Sequence, residues 1–127
     1  MKVTYLYTGD DGQSHFEDID LAATPIGTGE GIELRGAIQG LLLLSLPSSF
    51  SNEYHNAPRR QFVLQLTGRG EYTVGDGTSR ILGPGDVLLV DDRTGQGHLS
   101  RTIEEPRLQA YIYVDPDLDI DSLRVQA

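Results

Sequence analysis

Residues 68–86 read GRGEYTVGDGTSRILGPGD, and the order of turn signals within them decides what kind of fold to expect. Gly68-Arg69-Gly70 turns the chain into an extended run, Glu71 to Val74. Gly75-Asp76-Gly77 is a strong hairpin signal, because glycine and aspartate accept the positive φ angles of tight hairpin turns. Arg80 to Leu82 then returns antiparallel, and Gly83-Pro84-Gly85-Asp86 forms a second tight turn.

The same rhythm continues outward. Upstream, Gln61 to Leu66 alternates as a strand, with Phe62, Leu64 and Leu66 on one face and Val63 on the other. Downstream, VLLV at 87–90 is apolar on both faces, and a final strand is expected over Leu108 to Val114. Both faces of the sheet therefore need cover, from an N-terminal hairpin or from a second subunit, and a homodimer is expected. Val3 to Thr8 and His15 to Leu21 form that hairpin around Gly9-Asp10-Asp11-Gly12. The breaker-rich ATPIGTGEGI from Ala22 reads as a loop able to cover a pocket mouth, followed by a short strand near Ile32 to Arg35. LLLLSL after Gly40 is an apolar strand closed by Pro47-Ser48-Ser49. No segment carries three turns of helical period. The expectation is one all-β domain over 1–127, with an N-terminal extension over 1–40, a core over 41–114 and a tail over 115–127.

Composition narrows the function classes. The 127 residues suit a single core, and 38% hydrophobic with 23% charged residues fits a folded, turn-rich chain. A formal charge of −9 disfavours nucleic acid, whose phosphates call for a basic stripe, and anionic membranes as well. No apolar run approaches a membrane span, and the start MKVTYLYTGDDG lacks the apolar centre of a secretory signal, so a cytoplasmic protein is expected. Without cysteine, any metal must be held by histidine, carboxylate or amide groups, and the histidines are His15, His55 and His98.

The segment His55 to Gly68, HNAPRRQFVLQLTG, resembles the first motif of the cupin family, in which a His-x-His pair is followed by Glu and then Gly. His55 matches the first histidine, Ala57 stands at the second, Gln61 replaces the glutamate and Gly68 keeps the spacing. Gly85 to Thr102 is similar to the second motif, with Gly95 and His98 in register. Arg93 stands there for proline and Thr102 for asparagine, and the Gly85 to Arg93 interval is two residues longer than in the family. The turns of 68–86 correspond to the region between the motifs. The resemblance implies a single cupin-type jelly-roll β-barrel with a small-molecule site inside it. It also implies a metal site reduced to His55, Gln61 and His98. Gln is a neutral ligand and Ala57 removes a nitrogen donor, so a divalent zinc, iron, nickel or manganese ion and a metal-free pocket remain alternatives.

Strand alternation from 55 to 61 would bring His55, Arg59 and Gln61 to one face. His55, His98 and Arg59 are thus the candidate catalytic groups, with Gln61 in support. The structural alternatives are a hydrogen-bonded core role for the imidazoles and, for Arg59, an ion pair with Glu53 or Asp92. Arg60, on the opposite face, reads as a surface or subunit contact. One of Asp91 and Asp92 would act as a general base beside His98, or both would solvate a turn. Tyr54, Tyr111 and Tyr113 serve packing or offer phenol donors, and His15 reads as structural. Two functions follow: an enzyme acting on a small polar or acidic molecule by acid-base or metal-assisted chemistry, or a non-catalytic ligand-binding or sensor protein.

Overall fold

The computed structural model describes residues 1–126. The expected turns organise an all-β chain. The strands are β1 (Lys2–Thr8), β2 (Ser14–Asp20), β3 (Thr24–Ile26), β4 (Gly29–Gly31), β5 (Ile38–Leu46), β6 (Gln61–Thr73), β7 (Ser79–Leu82), β8 (Val87–Asp91) and β9 (Leu99–Val114). The helical content among the described residues is one 3₁₀ turn, Ile120–Leu123, capped by the Asp119 carboxylate, which accepts from the Asp121 amide. No helix is long and apolar enough to cross a membrane. A seven-stranded sheet runs β2-β1-β8-β6-β9-β5, with β7 paired to the far half of β6, and β3 with β4 forms a separate hairpin. β1 and β8 are the parallel neighbours; every other pairing is antiparallel.

Four segments depart from the sequence reading, among them the last strand, which begins at Leu99 and not at Leu108. Gln61 to Leu66 and Glu71 to Val74 are one long strand, because the glycines at 68 and 70 act as bulges within it: its register against β9 shifts between Gln65 and Gly70. Residues 24–31 form the β3–β4 hairpin and line none of the site described below, so the expected cover over the pocket mouth is not there. Residues 32–35 form no strand; Ile32 and Leu34 pack sideways onto a core.

The sheet carries one apolar cluster on each face, called here inner and outer. Leu6, Val63, Tyr72, Val74, Leu88 and Val90 fill the inner core. The outer core gathers Val3, Ile19, Leu21, Phe62, Leu89 and Val114, and it is covered by Ile32, Leu34, Leu118, Ile120 and Leu123. The cover is thus largely the C-terminal tail, while the N-terminal hairpin extends the sheet. Apolar surface remains at the β5 edge, where Leu41 and Leu43 are more than half exposed.

Candidate functional site

Two peptide hydrogen bonds build the site. The His55 amide donates to the His98 carbonyl and the His98 amide donates to the His55 carbonyl, both at 2.9 Å. Residues in such an antiparallel bridge have neighbouring side chains, and the imidazole centroids lie 4.8 Å apart. The bridge needs Gly97, whose φ is +81° and where a Cβ would run into the His55 carbonyl and the Asn56 amide. His55 and His98, 43 residues apart in sequence, therefore meet as expected.

The ring nitrogens are already partly committed. Nδ1 of His98 lies 2.6 Å from Oδ2 of Asp92, which is fully buried and also accepts from the Ser14 hydroxyl at 2.7 Å. A carboxylate at that distance accepts from Nδ1–H, the tautomer that leaves Nε2 as the free acceptor. Nδ1 of His55 lies 3.1 Å from the Glu53 carbonyl, which selects the same tautomer. His98 is buried, and His55 is exposed at the rim. Oδ1 of Asp92 is buried without a partner among the described residues.

Both imidazoles line a concave chamber of about 150 Å³ on the inner face. Its apolar wall includes Leu44, Leu46, Phe50, Val63 and Val90, and its polar groups are Asn52, Gln61, Ser100, Tyr72 and Tyr111 besides the histidines. The chamber opens to solvent at the His55 rim and has room for a molecule near the size of benzene. Gln61 is buried, and among the described residues no hydrogen-bond partner meets its amide, so a ligand can take it. Behind this wall Tyr111 donates to Gln109 (2.6 Å), and Gln109 donates to Gln65 and to the Tyr72 oxygen (both 2.8 Å). Burial, with the neighbouring Tyr72, holds the Tyr111 phenol protonated well above its ordinary range.

Arg59 does not line the chamber. The bend at Pro58 and Arg59 breaks the strand period, so Arg59 is exposed, outside the chamber wall, with its guanidinium 4.3 Å above the Tyr113 ring. It forms no ion pair with Glu53 or Asp92. Arg60 does point to the opposite face, but as a buried residue: it donates to Asp91 at 3.1 and 3.2 Å and to the Leu118 carbonyl. The adjacent aspartates thus divide by strand alternation, Asp91 outward to Arg60 and Asp92 inward to His98. Tyr54 donates to the Val74 carbonyl, and His15 pairs with Asp11 at 2.9 Å away from the chamber, in keeping with structural roles.

Ser100, Tyr72 and the fully buried Arg107 went unread in the sequence. The signal was available, since Arg107, Gln109, Tyr111 and Tyr113 share one parity on β9 and so share the inner face with Val63.

The histidines, cysteines and acids of the described residues bring no three groups together for a metal. A divalent ion here would have two imidazole Nε2 atoms and the neutral Gln61 amide, because Asp92 does not line the chamber: its Oδ2 is held by His98 and Ser14, and its Oδ1 is buried away from it. That donor set offsets none of the ion's charge, so it fits a resident divalent metal poorly.

No protein-family model matches the chain, and no curated protein matches it by sequence. Its fold is similar to the crystal structure of a conserved protein of unknown function from Streptococcus pyogenes, with a TM-score of 0.50 and 20% identity over 67% of this chain and 70% of that one. At that identity the likeness concerns the fold alone.

Proposed function

We propose that this chain is a cupin-type jelly-roll protein whose chamber performs acid-base chemistry on a small polar or acidic organic substrate. The observation that carries the reading is the Asp92–His98 pair: a buried carboxylate fixing a buried imidazole whose Nε2 is left free, beside a chamber lined by further polar groups. In this reading Nε2 of His98 removes or delivers a proton, Asp92 stabilises the imidazolium that forms, and Gln61 orients the substrate. His55, exposed at the rim, supplies the second proton-transfer group. Isomerisation, elimination and cyclisation all begin with such a proton transfer. The poor metal donor set favours this route over metal-assisted chemistry.

The alternative is a non-catalytic binding protein, favoured by the alanine and glutamine standing at two of the four positions of the family's ligand set. Deuterium exchange separates the two. Small carboxylic and hydroxy acids and their ketone analogues, incubated with the protein in D2O, should exchange a C–H next to the carbonyl for at least one compound. Exchange should fall by roughly a hundredfold or more in His98→Asn, a variant whose amide can still donate to Asp92 and preserve the melting temperature. Binding without exchange would favour the alternative, and neither binding nor exchange by any compound would overturn both.

The exposed Leu41 and Leu43 on the unpaired edge of β5 support a homodimer joined there, which sedimentation of the wild type against Leu43→Lys would test.

A further inference from the structure

Arg107 has no exposed surface, yet among the described residues no carboxylate meets its guanidinium. Its partners are two neutral hydroxyls, Ser100 Oγ at 2.9 Å and Thr102 Oγ at 3.3 Å, while its Nε is buried without any partner. The bend of β9 folds this side chain back over Ser100 and Thr102 of its own strand, and it packs on Gly70, where a Cβ would collide with the guanidinium. An ionised group held in the interior without a counter-charge is costly, and the chain has made room for it by keeping position 70 free of a side chain.

The charge sits directly behind the chamber wall. Ser100 lines the chamber, and because its oxygen accepts from Arg107, its own proton is left polarised for a ligand. The Tyr72 ring, another part of the wall, neighbours both groups: the guanidinium lies 5.5 Å over its centroid, and the His98 ring centroid is 6.2 Å from it. We infer that Arg107 is the missing half of an ion pair completed by the ligand: the chamber takes a small organic monocarboxylate, its carboxylate bound by the Ser100 hydroxyl under the field of Arg107. One buried guanidinium offsets one negative charge, which favours a carboxylate over doubly charged phosphate, and the chamber has room beside that carboxylate for a few carbon atoms or one ring. This rests on the acid-base reading above and deepens it. A carboxylate held at the Arg107 end presents its neighbouring carbon toward the His98 end, and the carboxylate's negative charge gains from Arg107 what it lacks in water.

The test is binding to the full chain, followed by amide chemical shifts, with lactate and benzoate as carboxylate probes, lactamide and benzamide as their neutral isosteres, and inorganic phosphate as the competing anion. A carboxylate should bind at least tenfold more tightly than its amide and than phosphate, with shifts centred on Ser100, Tyr72 and His98. Arg107→Met should abolish that preference while leaving the melting temperature unchanged or a few degrees higher, because an apolar side chain of similar length relieves an unpaired buried charge. Ser100→Ala leaves the guanidinium in place and should weaken carboxylate binding about tenfold by itself, so the inference remains testable even if Arg107→Met does not fold. Equal binding of acid and amide, tighter binding of phosphate, or an Arg107→Met protein that melts several degrees lower with carboxylate preference intact would each overturn it. Carboxylate preference without deuterium exchange would sink the catalytic reading and leave the role of Arg107 standing.

Discussion

The two buried arginines, one on each face of the sheet, are treated in opposite ways. On the outer face Arg60 is met by both oxygens of Asp91 and by the Leu118 carbonyl, so its charge and its donors are answered inside the protein. On the inner face Arg107 meets two hydroxyls and the face of the Tyr72 ring but, among the described residues, no carboxylate, and it keeps an unused donor. The outer arginine locks the tail over the apolar core; the inner one stands behind a chamber. Because a buried charge without a partner costs stability, the contrast separates a group retained for the fold from one retained for a ligand.

The contrast breaks most visibly on the outer face. Asp91→Ala strips Arg60 of its counter-charge in a place where the side chains are only 10% and 8% exposed, and removes the acceptor of the Tyr5 phenol at 2.9 Å. The expected loss is about 3–5 kcal/mol in urea unfolding. Binding at the chamber by the protein that remains folded should be unchanged, since Asp91 and the chamber lie on opposite faces. A loss below about 1 kcal/mol would show that Arg60 is no better satisfied than Arg107, and the distinction between the faces would fail.

What the sequence revealed follows the same line. Turn chemistry is local, so the hairpins at 75–77 and 9–12 and the all-β class could be read from glycine, proline and aspartate alone. The meeting of His55 and His98 was legible through motif spacing. Arg59 stays outside the chamber because the chain bends at Pro58 and Arg59, and alternation, a property of extended backbone, carries no information across a break. Arg60 was assigned the right face and the wrong surroundings. Its burial depends on the tail from Asp115 onward folding back across the sheet, a long-range event that no local pattern near residue 60 encodes. Arg107 was hidden for a related reason: the bulges around Gly68 bend β9 back on itself, so a residue that alternation places on the inner face becomes enclosed by its own strand.

A smaller effect sharpens the comparison at the bridge that assembles the inner face. Gly97→Ala imposes a side chain on a backbone at φ +81° and against the His55 carbonyl. The expected cost is about 1–3 kcal/mol. Unlike Asp91→Ala, this change should also disturb the chamber, because the two peptide hydrogen bonds between residues 55 and 98 cannot both keep their 2.9 Å length around a new Cβ. Ligand-induced shifts at His98 should weaken in Gly97→Ala and persist in Asp91→Ala, although the latter is the less stable protein. If both variants lost binding in proportion to their stability, binding would report the fold as a whole, and the inner face would have no separate function.

The smallest expected change in stability distinguishes the two imidazoles. His55 is exposed and contributes to the bridge through its peptide group, which alanine retains, so His55→Ala should alter stability by no more than about 0.5 kcal/mol. Its ring nevertheless forms the rim of the chamber beside His98, with Nε2 free because Nδ1 is turned to the Glu53 carbonyl. In the acid-base reading this ring is the second proton-transfer group, so His55→Ala should slow deuterium exchange by about tenfold or more while carboxylate binding, governed by Arg107 and Ser100 at the other end, changes little. The separation of rate from affinity is the informative result: a rim residue that merely shaped the opening would alter binding and exchange together, and His55 would then belong with the packing of the inner face and not with its chemistry.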